Sequence, residues 1–344
     1  MRVGIVGCGK VAHLHAKALG VGGLTAVCDA IPERALAFAA LYGARAYATV
    51  GELCRVVDAL VLCTPHPLHA AAGIEALNAG VALLVEKPLA ASVADCDAML
   101  EAAARNRAPL GVVSQRRFFE PVQRMRSAIE AGKIGRPVLG TFLMLSWRDE
   151  AYYASDPWRG KWATEGGGVL INQSPHQLDI LMWLMGEVAE VQAFWGNLNH
   201  PYVEVEDTAV ATLRFKNGGL GSITASLSQR PGIYSKVHVH GSNGASVGVQ
   251  TDSGATFVAG MSGIAAPPFN DIWTIPGEEA PSPPVYPEGV DPTVYYHGLQ
   301  LREFLEAVEA GRTPAVTGED GRRVVSLIEA IYRSGTTGSA AVPA

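Results

Sequence analysis

Through the first 120 residues, short apolar runs alternate with helical periodicities. The runs Arg2–Val6, Leu24–Cys28, Ala59–Cys63, Ala82–Val85 and Leu110–Val113 lack polar alternation, as strands buried on both faces do. Between them, Lys10–Leu19, Pro32–Tyr42, His69–Ala79 and Ser92–Arg105 carry apolar residues at helical spacing. Pro32 suits a first helical turn, and Ser92 with Asp95 approximates a capping box. Strand–helix alternation of this kind predicts an α/β domain, a parallel sheet covered by helices.

Beyond about residue 118 the pattern changes. One amphipathic helix is expected at Pro121–Ala131, ended by Gly132. Longer alternating strands follow at Val138–Trp147, Val188–Asn197, Thr208–Lys216, Leu220–Ser228 and Ser235–His240, with Asn217-Gly218-Gly219 as a hairpin turn. A long helical pattern, Val169–Met185, interrupts them, with Pro175 making its early turns irregular. Helices at His297–Ala310 and Gly318–Ser334 come last, and the Pro- and Gly-rich stretch Gly260–Pro292 reads as an irregular surface excursion. The expected division is a nucleotide domain over 1–118 and an α+β domain with a largely antiparallel sheet over 119–344.

The length of 344 residues suits two domains, and 48% hydrophobic residues supply ample core. A net charge of −6 without a basic run argues against nucleic acid as a partner. No apolar stretch is long enough to span a membrane. The five cysteines (Cys8, Cys28, Cys54, Cys63, Cys96) form no CxxC pair and are odd in number, which argues against a disulfide framework and against a metal site. Buried free thiols in a reducing compartment are expected. A single Arg precedes the first apolar run, and glycines interrupt that run at once, so no signal peptide is read and the cytoplasm is the expected location.

Three segments carry candidate chemistry. Gly7-Cys8-Gly9-Lys10-Val11-Ala12 lies between the first strand and the first helix. Gly7 permits a tight turn, Gly9 clears space for a pyrophosphate, and Ala12 lets helix and strand pack closely. The helix start then offers N–H groups to phosphates. Asp29 ends the second strand, roughly 20 residues on, where a carboxylate accepts the ribose hydroxyls and repels a 2′-phosphate. This favours NAD, with NADP possible because Arg34 lies a helical turn away; Asp29 also suits the N-cap of the helix near Pro32. Glu86-Lys87-Pro88 sits at the carboxyl end of an apolar strand, the edge where ligands bind in open parallel sheets. A Lys there can stabilise a developing alkoxide, or be no more than a surface residue. Thr64-Pro65-His66-Pro67-Leu68-His69 reaches the same edge and can wall the nicotinamide, although His69 also reads as a capping or packing residue. The third segment runs from Gly166-Gly167-Gly168 into Asn172, His176 and Asp179, which lie at i, i+4 and i+7 on one helical stripe. His176 reads as a proton shuttle or a core histidine, and Asp179 as an internal bridge.

Taken in order, GCGKVA, Asp29, TPHPLH, EKP and GGGVLINQSPH resemble the glucose-fructose oxidoreductase / inositol dehydrogenase / rhizopine catabolism (Gfo/Idh/MocA) family over nearly the whole chain. The resemblance implies an N-terminal Rossmann domain plus a C-terminal α/β domain with a large open, mostly antiparallel sheet. It implies a homodimer or homotetramer built through that sheet, a nicotinamide dinucleotide, and sugar, sugar-derivative or cyclitol substrates. It further implies Lys87 and His176 as catalytic residues, with Asn172 where many members carry aspartate. Cofactor contacts are implied for Gly7, Gly9, Lys10, Val11, Ala12, Asp29, Thr64, Pro65, His66, His69, Glu86, Lys87, Gln115, Trp158 and Arg159, the last equally suited to a structural salt bridge. Substrate contacts are implied for Lys87, Tyr153, Asn172, His176 and Tyr295. The expected reaction moves a hydride between NAD and a secondary hydroxyl. Alternatives are glycoside cleavage through transient oxidation with no net redox, and a non-catalytic dinucleotide sensor.

Overall fold

The computed structural model describes residues 1–253, 257–258, 261–262, 267–286 and 288–344. The chain forms two compact units, residues 1–115 with 293–325, and residues 116–292 with 326–344.

In the first unit the strands are β1 Val3–Val6, β2 Leu24–Cys28, β3 Arg45–Tyr47, β4 Ala59–Leu62, β5 Ala82–Val85 and β6 Leu110–Val112. The intervening helices are α1 Ala12–Leu19, α2 Pro32–Tyr42, α3 Val50–Cys54, α4 His69–Asn78 and α5 Val93–Asn106. The strands pair in parallel in the order β3-β2-β1-β4-β5-β6, so the order reverses between β1 and β4. β1, β4 and β5 are buried at every position, as their continuous apolar runs demand. The short pair β3 and α3 escapes the sequence pattern because neither has an apolar run of its own.

From sequence, the domain boundary falls at 118/119 and the last helices belong to the second domain. In the structure, α10 (Pro292–Glu309) lays Leu301 and Phe304 into the core formed by Val3, Ile5, Ala12 and Leu84. Gln300 on α10 accepts from the Ser114 N–H (2.9 Å) and donates to the Val112 carbonyl (2.8 Å), satisfying backbone groups beyond the end of β6. The next helix, α11 (Gly318–Thr337), belongs to the first unit up to residue 325 and to the second from 326.

The second unit holds helix α6 (Glu120–Glu130) and a seven-stranded sheet. Its strands are β7 Pro137–Leu145, β8 Val188–Gly196, β9 Thr208–Phe215, β10 Leu220–Ser226, β11 Tyr234–Gly241 and β12 Ser246–Ser253. After the two-residue pair β13 (Phe257–Val258) and β14 (Met261–Ser262), the sheet takes a last strand, β15 (Phe269–Trp273). The order is β15-β12-β11-β7-β10-β9-β8, antiparallel throughout except for β7 beside β10. The expected excursion Gly260–Pro292 therefore contains an edge strand. Asn270 pins it by donating to the Pro121 and Gly248 carbonyls, both at 3.0 Å. Of that stretch, residues 260, 263–266 and 287 lie outside the described residues.

The expected single helix over Val169–Met185 is two pieces, a π-turn at Val169–Gln173 and α9 at Pro175–Met185. Pro175 has no N–H to continue the earlier ladder and instead starts a fresh helix. The short helices α7 (Glu150–Ala154) and α8 (Trp162–Glu165) precede the π-turn. Among the described residues no helix is long and apolar enough to cross a membrane.

Candidate active site

In the first unit the glycine turn is shaped by close packing. Gly7 has φ +86, and a Cβ there would meet the Cys63 carbonyl and Thr64 nitrogen at 2.8 Å. A Cβ on Gly9 would meet nothing within 4 Å, so this position opens onto free space beside the start of α1. That start comes at Ala12, leaving exposed Lys10 and half-buried Val11 in the turn itself. Asp29 is tied to the turn from the end of β2. One oxygen accepts from the Cys8 N–H and the other from the Ile31 N–H, both at 2.8 Å, and Arg34 lies 3.8 Å away. It does not cap α2, whose first residues follow Ile31 without a side-chain cap. Burial, reinforced by Asp29, pushes the Cys8 thiol up to about 12, so this free and buried thiol is inert.

Two loops meet at the carboxyl ends of β4 and β5. His69 is fully buried, with Nδ1 2.8 Å from the Pro88 carbonyl and Nε2 2.8 Å from the Thr64 carbonyl. Burial lowers its pKa, so the ring is neutral and donates to one of the two. It packs the loops together and meets buried His66 ring to ring, while Pro65 is half-buried beside them. The Lys87–Pro88 peptide is cis, and Lys87 is half-buried. Glu86 turns inward: its carboxylate accepts from His15 Nε2 (2.7 Å) and from the Lys87 N–H (3.1 Å). His297, held by its Nδ1 donating to the Thr293 carbonyl (2.7 Å), completes a buried His15–Glu86–His297 group. This is the one His/Cys/Asp/Glu group at metal-ligand spacing among the described residues, and its His15–Glu86 contact is a hydrogen bond.

Burial alone would raise the Glu86 pKa. The His15 hydrogen bond and the charges of His15, His297 and Lys87 outweigh it and hold the group at about 2. A depressed carboxyl stabilises the fold above the ordinary glutamate range, and that stabilisation is lost as pH falls through about 2. Replacing His15 with Ala is expected to cost about 3 kcal/mol at pH 7, the penalty of stranding a buried charge. Denaturant unfolding between pH 7 and pH 2 checks this; equal stability of variant and wild type at neutral pH would contradict it.

Two further sequence-derived positions show polar atoms suited to a ligand. The Thr64 hydroxyl and the Gln115 side-chain oxygen are buried and find no hydrogen-bond partner among the described residues. With the open space at Gly9 and the carboxylate of Asp29, these positions fit a dinucleotide. Tyr295 is exposed on α10, whereas its neighbours Tyr296 and His297 are buried in the first unit.

In the second unit, two of the three glycines serve the protein's own packing, and Gly166 ends α8 in the left-handed conformation. A Cβ on Gly167 would lie 2.1 Å from the Tyr332 hydroxyl, and one on Gly168 would lie 2.0 Å from the Glu206 carbonyl. Glu206 then accepts from the Gly168 and Leu170 N–H groups (2.8 and 2.9 Å) and from the Tyr332 hydroxyl (2.8 Å), which fixes the π-turn. Burial raises Glu206 to about 7 against the pull of these donors. His176 lies in the first turn of α9 and is 8% exposed. Asn172, in the π-turn, gives its amide to Glu165 Oε1 and to the Tyr152 hydroxyl (3.2 Å). Asp179 is an internal bridge, gripped at both oxygens by Arg117 (2.7 and 2.5 Å). The expected stripe thus splits in function, because the π-turn and Pro175 reset the helical phase.

Tyr153 is buried with its hydroxyl unpartnered among the described residues, in an aromatic cluster with Tyr152, His200 and Tyr202. Arg159 pairs with Asp156 (3.2 Å), donates to the Tyr152 hydroxyl and stacks over Trp158 with a 4.4 Å separation. His15, Glu165 and Glu206 were not singled out from sequence. Glu165 alone left a local trace, as an acid directly before the glycine run.

Comparison with known proteins places these features. Residues 1–114 match the model of an oxidoreductase family with an NAD-binding Rossmann fold, and residues 122–247 match the GFO/IDH/MocA C-terminal domain. The myo-inositol dehydrogenase Hyg17 of Streptomyces leeuwenhoekii is 30% identical over 99% of both chains. The inositol 2-dehydrogenase of Rhizobium meliloti is 27% identical over 97% of this chain and 96% of its own. A similar solved structure is the WlbA dehydrogenase from Bordetella pertussis, in complex with NADH and UDP-GlcNAcA. It is 30% identical, has a TM-score of 0.84, and the match covers 99% of this chain and 98% of that one. With an NAD-binding first unit and a matching second one, the chain belongs to the Gfo/Idh/MocA family of NAD-dependent oxidoreductases.

Proposed function

We propose that this protein is an NAD-dependent dehydrogenase of a cyclitol or sugar, oxidising a secondary hydroxyl to a ketone. The observation that carries the reading is Lys87, half-buried at the carboxyl end of β5 in an NAD-binding sheet. The names of the two inositol dehydrogenases among its relatives support a cyclitol. Gly7, Gly9, Asp29, Thr64 and Gln115 would hold the dinucleotide. NAD, when bound, supplies the acceptor for the hydride. Lys87 donates a hydrogen bond to the substrate oxygen and stabilises the negative charge that develops on it. His176 takes the hydroxyl proton and passes it to solvent. Asn172 and Tyr153 orient neighbouring hydroxyls, and Tyr295 offers an aromatic face. Residues 1–118 form the dinucleotide-binding part, with 293–325 packed against them, and the remainder supplies substrate contacts.

The test is a polyol and sugar panel led by myo-inositol, followed at the NADH absorbance with NAD and NADP in parallel. NADH formation on at least one cyclitol or sugar is expected; a protein that binds NAD yet turns over nothing on the panel would refute the reading. Replacing Asp29 with Ala is expected to raise the Kd for NAD by roughly 10–100-fold, the value of hydrogen bonds to a charged group. NADP should be affected less, since the lost carboxylate no longer opposes its 2′-phosphate. Fluorescence titration with both cofactors checks this, and an unchanged NAD/NADP ratio would contradict it.

Two extensions belong to the same proposal. The outer face of the seven-stranded sheet exposes Phe194 (74%), Leu220 (52%), Val210 (47%) and Leu139 (40%). The register pairs Phe194 with Val210 towards one end of that face and Leu220 with Leu139 towards the other, with Thr212, Ser222 and Thr224 between the two apolar pairs. A second copy covers this face, in a dimer or tetramer. Val210→Arg with Phe194→Arg is expected to give a monomer by light scattering, and an unchanged mass would exclude this face. The five buried free thiols accord with a reducing cytoplasm.

A further inference from the structure

The amide of Asn172 does not stand alone. Its nitrogen donates to Oε1 of Glu165, a carboxylate 1% exposed that neither the glycine loop nor the EKP segment involves. The other Glu165 oxygen accepts from the Gly160 N–H at 2.5 Å, so the side chain is held at both ends of its carboxylate. Asn172 also donates to the Tyr152 hydroxyl at 3.2 Å and is itself 6% exposed. A carboxylate only accepts hydrogen bonds, whereas an amide has one accepting and one donating end. Glu165 therefore decides which way round Asn172 sits: the NH2 must face the carboxylate, and the carbonyl oxygen must face away from it.

We propose that Glu165 is a positioning residue for the reaction, locking Asn172 so that it presents an acceptor oxygen ahead of His176. This rests on the dehydrogenase reading above. Glu165 stays buried and hydrogen-bonded, while the neutral amide turns its accepting oxygen away from it. A substrate hydroxyl or an imidazole N–H meets an oxygen and never a competing NH2. An amide free to flip would offer the wrong end part of the time and leave its partner without an acceptor.

The proposal makes an unusual demand on the exchange of these two side chains, tested with NAD and myo-inositol or whichever panel member the wild type oxidises. In Glu165→Gln the Gly160 N–H still claims the oxygen at position 165, so the glutamine NH2 faces Asn172 and the lock is turned round, presenting the Asn172 NH2 instead of its oxygen. The kcat is expected to fall roughly tenfold with KM little changed, the scale of one hydrogen bond made in the transition state. In Asn172→Asp two carboxyls touch. Sharing one proton, they reproduce the wild-type arrangement, so activity relative to wild type is kept at low pH and lost as pH rises and the shared proton leaves. In the double variant Glu165→Gln/Asn172→Asp, the glutamine NH2 faces a single carboxylate, and kcat recovers at every pH. A mere packing role would show neither the pH dependence nor the rescue. Unimpaired kcat in Glu165→Gln, or a double variant no better than Glu165→Gln, would overturn the proposal.

If the wild type oxidises nothing on the panel, the functional reading fails by itself, and the lock is then read without turnover. In protein labelled with 15N-asparagine, the Asn172 side-chain protons, assigned by their absence in Asn172→Asp, are expected to exchange slowly in wild type and rapidly in Glu165→Gln. Equal exchange rates would overturn it.

Discussion

Replacing Lys87 with methionine is expected to lower kcat by about 10²–10³-fold, the scale for removing one preorganised donor from a developing oxyanion. Methionine keeps the length and apolar stem of lysine and removes the ammonium. The backbone anchor survives, because the contact from the Lys87 N–H to Glu86 (3.1 Å) does not involve the side chain. The His69 ring between the Thr64 and Pro88 carbonyls remains in place as well. The loss should therefore fall on kcat and kcat/KM together, with the Kd for NAD within a few-fold of wild type. That division marks an interaction made mainly in the transition state. A variant with near-normal kcat, or one that merely loses NAD affinity, would remove Lys87 from the chemistry.

Replacing His176 with Ala is the second large effect expected, a fall in kcat of about 10²–10⁴-fold for the loss of a positioned general base. The pH dependence carries the diagnosis. In the wild type, oxidation should rise with pH as the imidazole loses its proton and becomes able to accept one from the substrate. In the variant that rise should disappear, leaving only the slow dependence on hydroxide. The neighbouring framework is independent of the imidazole: the π-turn is held by Glu206, and α9 is anchored by the Arg117–Asp179 pair. Unfolding temperatures of variant and wild type should thus remain close while their rates diverge. A variant that retains the wild-type pH profile would show that another group moves the proton.

The parts of this site legible in the sequence are those whose chemistry is local. A strand, a glycine turn and a helix start lie next to one another in the chain, so GCGKVA announces its own geometry, and Asp29 falls where the second strand must end. Apolar strands buried on both faces declare a parallel sheet, and Lys87, two residues past the end of one of them, emerges at its carboxyl edge. What was illegible depends on residues far apart. His15, Glu86 and His297 come from α1, the EKP segment and α10, and no spacing rule links them. The return of 293–325 to the first unit is carried by Leu301, Phe304 and Gln300, which in sequence are ordinary helix residues.

The second-unit elements show a different limit. In the run Gly166–Gly168 the close approaches are made to the protein itself, by Gly167 to Tyr332 and by Gly168 to Glu206. Helical phase placed Asn172, His176 and Asp179 on one stripe, a construction valid only for uninterrupted α-geometry. A π-turn and a proline lie between the first two, so Asn172 turns to Glu165 while Asp179 turns to Arg117. The edge strand Phe269–Trp273 was hidden by the Pro- and Gly-rich composition around it.

The central claim is that Lys87 and His176 act on one substrate oxygen. It is tested most directly by a crystal structure of the wild type with NADH and the polyol selected by the panel. The expected result is a single carbinol oxygen within about 2.6–3.2 Å of both Lys87 Nζ and His176 Nε2, with its carbon facing the nicotinamide. A ring bound with either side chain beyond hydrogen-bond reach of that oxygen, and no water bridging the gap, would contradict it.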